Sequence, residues 1–493
     1  MLLNIVIAFL LIFNPLTISA SPVAAKHAMV VTEQSLASQV GIDILKKGGN
    51  AIDAAVAVGY ALAVVNPCCG NLGGGGFMTL HLANGKNIFI NFRERAPLAI
   101  NVNLFLDKTG VVIPGKTTEG YLAVATPGTV LGLDTALKKY GTLTRQTIMA
   151  PAIRLADQGF ILREGDNINR RFKIGDKFVQ KDLANTLKQI SAKGPDVFYK
   201  GPIAKTIVEE SHKHGGVLSL KDFASYTVEE RAPVYCAYHG NTIISAPLPS
   251  SGGTVLCEML NILEKPPLEK EGFHSALSAS ATIQAMKRAF HDRNSLGDGV
   301  DTTHYSVVDQ FGNAVSVTYT LNSFFGAKVI AGNTGFYLND EIDDFTIQPN
   351  TSNKFGLVQG EANLIKPGKR PLSSMTPTII TKDNKLLMVL GSPGGPRIIT
   401  SVLQTILNVL DYKMDIQSAV DAPRFHNQWL PDTTYMEPET FTPKTLKQLQ
   451  SWGYHLTPNP PWSAVEAIYI DQKNNTLYGG CDKRRIIGKA IGY

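Results

Sequence analysis

The order of hydrophobic and polar residues along the chain predicts helices that flank pairs of short strands. Apolar residues at helical spacing predict two successive helices, over 35–47 with Ser35 as the cap and over 50–65 with Asn50 as the cap. Further helices are expected through most of 128–230, over 276–292 and over 396–410. Alternating residues around turns predict strand pairs over 77–82 and 87–92, over 303–308 and 314–320, and over 377–380 and 386–390. Helices around antiparallel hairpins indicate a layered α/β or α+β fold.

The composition is that of a folded protein without a nucleic-acid partner. Of the 493 residues, 44% are apolar and 18% are charged, which supplies enough apolar side chains for a sizeable core. The net charge of +6 is small for this length, so we expect no nucleic acid as a partner. The five cysteines form no CxxC pair, so neither a disulfide scaffold nor a cysteine-rich zinc site is expected. Adjacent Cys68 and Cys69 are not expected to bridge each other.

Residues 1–20 have the pattern of a signal peptide. An unbroken apolar run over 5–13 is followed by the small residues Ser19, Ala20 and Ser21, and the first charged side chain is Lys26. The alternative is a buried N-terminal segment. Both this run and the later one over 54–65 are too short to span a membrane. We therefore expect an exported protein, periplasmic or secreted, with no stable membrane span.

Several common catalytic motifs are absent from the sequence. The glycine-rich stretch over 70–76 does not fit GxGxxG in any frame, and it lies between a predicted helix and a strand in the wrong order for a dinucleotide fold. The glycines over 73–76 are expected to permit close backbone packing. No Walker A, HExxH or GxSxG sequence occurs either. These absences argue against a dehydrogenase, an NTPase, a zinc protease and an α/β-hydrolase.

Thr302 begins a predicted strand directly after a short connector over 295–301. A threonine at a chain N-terminus can act alone, because its hydroxyl is the nucleophile and its α-amine, with a pKa of about 7.7–8.0, is the base. Making that amine requires a cut before Thr302. By spacing alone, a threonine at the start of a strand is more often an ordinary strand residue.

Ten stretches of the sequence together resemble the γ-glutamyltranspeptidase family of N-terminal-nucleophile hydrolases. They are GGNAIDAAVAVGYALAVVNP (48–67), GNLGGGGFM (70–78), NFRERAP (91–97), LPSSGGT (248–254), TTHYSVVD (302–309), TYTLNSFFG (318–326), NDEIDDF (339–345), KRPLSSMTPTI (369–379), GSPGGPRIIT (391–400) and APRFHNQWLPD (422–432). The resemblance implies an α+β fold, a four-layer αββα sandwich built from both subunits as one continuous domain. It also implies cleavage between Asp301 and Thr302, which would give a large subunit of residues 21–301 and a small subunit of residues 302–493 in a heterodimer.

The same resemblance implies the reaction. Thr302 would attack the γ-carbonyl of a γ-glutamyl amide such as glutathione, and the γ-glutamyl ester would be resolved by water or by an amino-acid or dipeptide acceptor. No metal and no organic cofactor would be needed. The resemblance also assigns the residues that bind the substrate. Its carboxylate would be bound by Arg93, Ser373 and Ser374. Its α-ammonium would be bound by Asp344, supported by Asn322 and Glu341.

The remaining catalytic residues follow from two further stretches. Gly394 and Gly395 match the oxyanion hole, and adjacent glycine amides just before a helix suit an anion. Thr320 matches a threonine that hydrogen-bonds the nucleophile. It is expected on the polar face of its strand, opposite the apolar face that carries Val317 and Tyr319.

The sequence departs from the family pattern at three places. The segments over 160–177 and 293–301 are shorter than in the family, and the second of them precedes the bond that must break. Phe355 stands where bacterial relatives usually have a tyrosine that reaches the residue matching Asn322. These departures leave an uncleaved, non-catalytic homologue as the alternative function. A third hypothesis, a relative with another acyl group such as a cephalosporin acylase, fits Arg93 and Asp344 less well.

Overall fold

The structure is a computed structural model that describes residues 20–166, 168, 172–293, 302–349 and 360–493. Three sequence predictions therefore lie outside the described residues. These are the signal peptide up to residue 19, the connector from 294 to 301, and Phe355.

Nineteen strands are described. In chain order they are β1 Val23–Ala25, β2 Met29–Thr32, β3 Gly75–His81, β4 Asn87–Phe92, β5 Phe160–Ile161, β6 Lys177–Phe178, β7 Glu229–Arg231, β8 Val234–Tyr238, β9 Asn241–Ser245, β10 Thr302–Val308, β11 Ala314–Thr320, β12 Thr378–Lys382, β13 Lys385–Gly391, β14 Phe425–His426, β15 Thr434–Met436, β16 Leu456–Pro458, β17 Glu466–Asp471, β18 Thr476–Cys481 and β19 Lys489–Gly492.

Fourteen α-helices are described, and short 3-10 turns occur between them. The helices are α1 Ser35–Lys46, α2 Ala51–Val65, α3 Thr129–Tyr140, α4 Arg145–Gln158, α5 Lys181–Lys193, α6 Asp196–Tyr199, α7 Pro202–Lys213, α8 Leu220–Ala224, α9 Gly252–Leu263, α10 Leu268–Glu271, α11 Ala276–Arg293, α12 Arg397–Leu410, α13 Ile416–Asp421 and α14 Pro443–Ser451.

Two seven-stranded antiparallel sheets form the centre of the molecule. Sheet I has the strand order β19-β2-β10-β11-β3-β4-β7, and sheet II has the order β1-β18-β17-β13-β12-β9-β8. A core of Met29, Val31, Ile379, Val389 and other apolar side chains lies between the two sheets. Helices α1, α2 and α3 pack on the outer face of sheet I, and α4 to α7 extend the same apolar core outward. Helices α9 and α12 pack on the outer face of sheet II, and α11 packs against α9. The predicted αββα sandwich is therefore confirmed.

Polar side chains cross between the sheets as well as apolar ones. Thr79 donates its hydroxyl to the carbonyl of Pro377 at 2.9 Å, and Ser316 donates to the carbonyl of Leu390 at 3.0 Å. Each buried hydroxyl thus has an acceptor on the opposite sheet, which avoids the cost of an unpaired polar group. Specific hydrogen bonds, as well as apolar contacts, therefore fix the position of one sheet relative to the other.

The first two helices show how local sequence sets the element ends. Asn50 accepts from the amides of Ile52 and Asp53, and the Asp53 carboxylate accepts from the Asn50 amide at 2.9 Å, so the predicted cap of α2 is confirmed as a capping box. The predicted cap of α1 is one residue late. Ser35 is already helical, and Gln34, in an extended conformation, caps the helix by accepting from the amide of Leu36.

The cysteine pairing differs from the sequence expectation. Cys68 and Cys69 are bridged, and a second disulfide joins Cys236 of β8 to Cys257 of α9. The expectation failed because the adjacent pair lies in a turn after α2, where the side chains do not alternate as they do in a strand. The odd count is explained by Cys481, which is free. The layers nonetheless pack through large apolar cores.

Among the described residues, no helix is both long enough and apolar enough to cross a bilayer.

Candidate active site

Thr302 begins β10, and Thr320 ends β11 directly opposite it in the antiparallel register. Residues that pair in this way project to the same face of a sheet, so the two hydroxyl side chains lie side by side. Both threonines are buried, with 4% of Thr302 and 2% of Thr320 exposed. The Thr320 hydroxyl oxygen accepts the amide of Asn322 at 2.7 Å. The structure therefore brings two of the predicted residues together at one end of sheet I.

The glycine-rich stretch over 70–76 packs against this end of the sheet. A Cβ on Gly74 would lie 1.8 Å from the carbonyl oxygen of Thr320, and a Cβ on Gly70 would lie 2.5 Å from Cγ2 of Thr303. Only glycine permits so close an approach. A Cβ on each glycine of 73–76 would come within 2.5 Å of a backbone carbonyl oxygen, so the prediction that these four serve backbone packing is confirmed.

Gly394 and Gly395 lie just before α12 and have positive φ angles of 121° and 61°. In the described part of the chain, neither glycine amide donates to a protein acceptor. The 14-residue helix α12 follows directly, so its N-terminal dipole adds to the attraction of these amides for an anion. The two amides are thus available to an anion.

His304 was missed by the sequence analysis, although it lies two residues from Thr302 on the same face of β10. Its Nδ1 lies 2.8 Å from the Thr318 hydroxyl and its Nε2 lies 3.1 Å from the Ser306 hydroxyl. Burial lowers the pKa of His304 to about 3, so the ring is neutral. A Cβ on Gly391 would lie 2.3 Å from the ring, so the imidazole packs directly on the strand that leads to the glycine pair. His304 therefore sets the spacing between β10 and β13.

Arg93 lies at the centre of a group of three buried carboxyls. Its Nη1 lies 2.5 Å from Glu341 and 3.3 Å from Glu94, and its Nη2 pairs with Asp344 and donates to the carbonyl of Leu372 at 3.1 Å. All four charged side chains are essentially inaccessible to solvent. We call this set of four residues the Arg93 cluster. Glu94 is a member that the sequence analysis missed.

One guanidinium does not balance three carboxylates, and the pKa values of the cluster reflect this. Burial raises the pKa of Glu94 to about 7 and that of Glu341 to about 8, while Arg93 acts in the opposite direction. Burial, together with the charge of Glu341, also raises the pKa of Asp344. The cluster thus carries protons near neutral pH unless another cation enters it.

Polar contacts join the Arg93 cluster to the end of β11. The side-chain amide of Asn322, which has a φ of 76°, donates to the carbonyl of Asp340 at 3.0 Å. Asn363 donates to the carbonyl of Asp344 at 2.6 Å and accepts the amide of Leu372 at 3.1 Å. The predicted residues Asn322, Glu341 and Asp344 therefore belong to one connected site.

Ser373 and Ser374 follow Leu372 and are fully buried. Ser373 Oγ accepts the amide of Met375 at 3.1 Å, and Ser374 Oγ accepts from Nη2 of Arg293 at 3.0 Å. Arg293 is the last residue of α11 and was not singled out by the sequence. A single cation at a helix C-terminus is favoured by the helix dipole alone, so its sequence position carried no functional signal.

Comparison with known proteins places the chain in a family. The profile of the family described as "Gamma-glutamyltranspeptidase" matches residues 37–168, 166–301 and 298–493. A protein of Pseudomonas sp. (strain A14) named "Glutathione hydrolase proenzyme" is 48% identical, over 98% of this chain and 97% of its own length. A protein of the same name from Escherichia coli (strain K12) is 42% identical, over 96% of this chain and 93% of its own. The alignment with the Pseudomonas protein runs over 557 positions, more than the 493 residues here, so it contains gaps in this chain.

Solved structures agree with this fold and family. A cephalosporin acylase from Bacillus halodurans superimposes with a TM-score of 0.85 over 96% of this chain and 97% of its own, at 26% identity. The γ-glutamyltranspeptidase of Helicobacter pylori is 43% identical and superimposes with a TM-score of 0.51, over 52% of this chain and 80% of that one. The profile match and the two relatives agree across almost the whole chain, and the chain therefore belongs to the γ-glutamyltranspeptidase family of enzymes.

Proposed function

We propose that this chain is a γ-glutamyltranspeptidase and glutathione hydrolase that cuts itself before Thr302 and uses Thr302 as its nucleophile. The observation that carries the proposal is the position of Thr302. It begins a buried strand opposite Thr320. Tyr319, next to Thr320, pairs with Gly76, and Gly76 pairs with Phe92, so Arg93 lies at the same end of sheet I. His304, two residues after Thr302, packs on Gly391, three residues before the Gly394–Gly395 pair. The products would be a large subunit ending at Asp301 and a small subunit of residues 302–493.

The Arg93 cluster suits the glutamate end of the substrate, which carries one ammonium and one carboxylate. The three carboxyls around one guanidinium attract an additional cation, and Asp344 is the proposed partner of the α-ammonium. Nε of Arg93 is buried and has no hydrogen-bond partner among the described residues, so it is available to a carboxylate oxygen. Ser373 and Ser374 would bind the same carboxylate.

The reaction then follows from the proposed arrangement. The Thr302 hydroxyl oxygen attacks the γ-carbonyl carbon while the α-amine of Thr302 takes up the hydroxyl proton. The amides of Gly394 and Gly395 donate to the oxyanion of the tetrahedral intermediate. The intermediate collapses, the C–N bond breaks, and the leaving amine takes the proton from the α-ammonium. Water or an acceptor amine attacks the resulting γ-glutamyl ester and releases Thr302.

Two alternatives are less well supported. The relatives at 42–48% identity are named as hydrolase proenzymes, which favours an active enzyme over an uncleaved, non-catalytic homologue. The cephalosporin acylase shares the fold at only 26% identity. The Arg93 cluster, with its binding groups for both charges of an amino acid, also favours a γ-glutamyl substrate. Release of p-nitroaniline from L-γ-glutamyl-p-nitroanilide by the purified protein tests the proposal, and no release would contradict it.

Replacing Arg93 by lysine is expected to raise KM for L-γ-glutamyl-p-nitroanilide by about 10- to 100-fold. A lysine keeps the charge but loses the planar fork, and each charge-assisted hydrogen bond contributes about 1.5–3 kcal/mol. Arg95→Lys is the matched control, since Arg95 is two residues away and, within the described residues, donates to the backbone carbonyls of Gly368 and Ser225. Steady-state kinetics measure both variants. An unchanged KM for Arg93→Lys would refute its proposed role.

The raised pKa values of the cluster predict how KM depends on pH. Between pH 7.5 and 6 the carboxyls of Glu94 and Glu341, with pKa values of about 7 and 8, become increasingly protonated and lose their attraction for the α-ammonium. KM should therefore rise as the pH falls, by up to about tenfold per unit. Initial rates over this range test the prediction, with Glu341→Gln expected to flatten the profile. A KM independent of pH in the wild type would contradict it.

Three further proposals concern the location of the protein, its subunits and its acceptors. The apolar run over 5–13 and the small residues that follow support export to the periplasm or the medium. The antiparallel pairing of β10, the first strand of the proposed small subunit, with β2 of the proposed large subunit supports a stable heterodimer after cleavage. Amino acids or dipeptides are the proposed acceptors.

A further inference from the structure

Arg293 is buried beside the serine pair. Only 1% of it is exposed, its Nε donates to Ser251 Oγ at 3.0 Å, and its Nη2 donates to Ser374 Oγ at 3.0 Å. The guanidinium also lies over the ring of Phe290, 5.6 Å from the centroid. Burying a guanidinium is costly unless its donors are used, so this placement points to a specific role.

The contacts of Arg293 determine which way the serine protons point. Ser251 Oγ accepts from Arg293 and donates its own proton to the carbonyl of Ser373 at 2.9 Å. Ser374 Oγ likewise accepts from Arg293, and in the described part of the chain it donates to no protein acceptor. A hydroxyl has a single proton, which Ser374 therefore still has available for an external acceptor.

Two guanidiniums flank the serine pair. Arg93 donates to the carbonyl of Leu372, just before the pair, and Arg293 donates to the hydroxyl of Ser374, its second member. Ser373, whose hydroxyl oxygen accepts the amide of Met375, lies between these two contacts. An acceptor that reaches both serine protons would have the Arg293 guanidinium and the unpaired Nε of Arg93 in the same region, and these N–H groups suit a carboxylate.

We propose that Arg293 is a positioning residue for the α-carboxylate of the substrate and that it acts through Ser374. By donating to Ser374 Oγ, it orients the hydroxyl so that its O–H is presented to the carboxylate, and its charge strengthens that hydrogen bond. This inference rests on the proposed function, and it adds a fourth group to the carboxylate site formed by Arg93, Ser373 and Ser374. It also makes the last turn of α11 part of that site.

A double-mutant cycle tests the proposal with the mature two-chain protein. Arg293→Gln is expected to raise KM for L-γ-glutamyl-p-nitroanilide about tenfold while kcat changes by less than about threefold, because the loss concerns one hydrogen bond to a charged group. Ser374→Ala removes the hydroxyl through which Arg293 acts. The double variant should therefore have the KM of Ser374→Ala alone, since coupled residues do not contribute independently. Arg288→Gln is the control, because Arg288 is 66% exposed on the same helix and pairs with Asp292 at 3.2 Å.

Three results would overturn the proposal. They are an unchanged KM in Arg293→Gln, a loss in kcat alone, and a double variant in which the two KM effects multiply. If Arg293→Gln does not mature, Arg293→Lys is used in the same cycle, with the same expected lack of additivity and the same refuting outcomes. The proposed function is tested separately by the wild-type protein. If the wild type releases no p-nitroaniline, the proposed function is wrong, whatever the variants do.

Discussion

Replacing Thr302 by alanine is expected to leave a single uncut chain that releases no p-nitroaniline from L-γ-glutamyl-p-nitroanilide. The side chain that attacks the peptide bond and the side chain that attacks the substrate would be the same hydroxyl, so one change removes both reactions. The loss should be on the order of 10⁶-fold, the scale seen when a hydrolase loses its nucleophile. Denaturing electrophoresis and the p-nitroaniline assay measure the two effects.

Two variants control for this result. Thr302→Ser keeps a hydroxyl and should still give two chains with measurable activity. Thr303→Ala removes the neighbouring hydroxyl, which lies on the opposite face of β10 near Gly70, and should mature with activity within about tenfold of wild type. Cleavage and full activity in Thr302→Ala would rule out Thr302 as the nucleophile.

Gly394→Ala is expected to lower kcat by about 10²–10³-fold with little change in KM, the effect of losing one oxyanion donor. The φ of Gly394 is 121°, which an alanine adopts only with strain, and the new Cβ would lie 2.1 Å from the Ser463 hydroxyl oxygen. To relieve the backbone strain and the clash with Ser463, the peptide that contains the Gly394 amide must rotate, which moves that amide. The value of kcat is calculated per mole of small subunit, so that uncleaved protein does not lower it.

Gly312→Ala is the matched control for this variant. Gly312 has a φ of 92° in the turn between β10 and β11, and a Cβ there would meet nothing within 4 Å. The backbone strain is of the same kind, but the turn is at the far end of the strand pair from Thr302. Its kcat should remain near wild type. An equal loss in both variants, or none in Gly394→Ala, would contradict the proposed oxyanion hole.

The periodicity of the sequence predicts the central elements of the fold closely, because those elements have a clear apolar face. The predicted pair over 303–308 and 314–320 becomes β10 and β11, and the predicted pair over 377–380 and 386–390 becomes β12 and β13. The short outer strands, such as β1 and β19, were not predicted. They are three and four residues long and depend on pairing with distant strands, which no local pattern shows.

The residues of the candidate site likewise fall into those that the sequence indicates and those that only the structure shows. Thr302, Arg93, Asp344 and the glycine pair were proposed as site residues because short motifs carry a family resemblance. Arg293 and His304 were not found, because their roles depend on which strand or loop packs against them. His304 faces Gly391, and Arg293 faces Ser374, each more than 80 residues away in sequence. Such contacts follow from tertiary packing alone.

The cysteines show a different limit. The odd count and the adjacent positions of Cys68 and Cys69 argued against pairing, yet the turn after α2 brings their sulfurs together, and Cys236 meets Cys257 across β8 and α9. The number and spacing of cysteines in a sequence do not show where a turn brings neighbouring side chains together.

Cleavage before Thr302 would make this residue an N-terminus, and the intact mass of the purified wild-type protein shows whether it does. We expect two chains, one of which has the mass of residues 302–493 and begins with Thr302. A single uncut chain that hydrolyses L-γ-glutamyl-p-nitroanilide at full rate would contradict it.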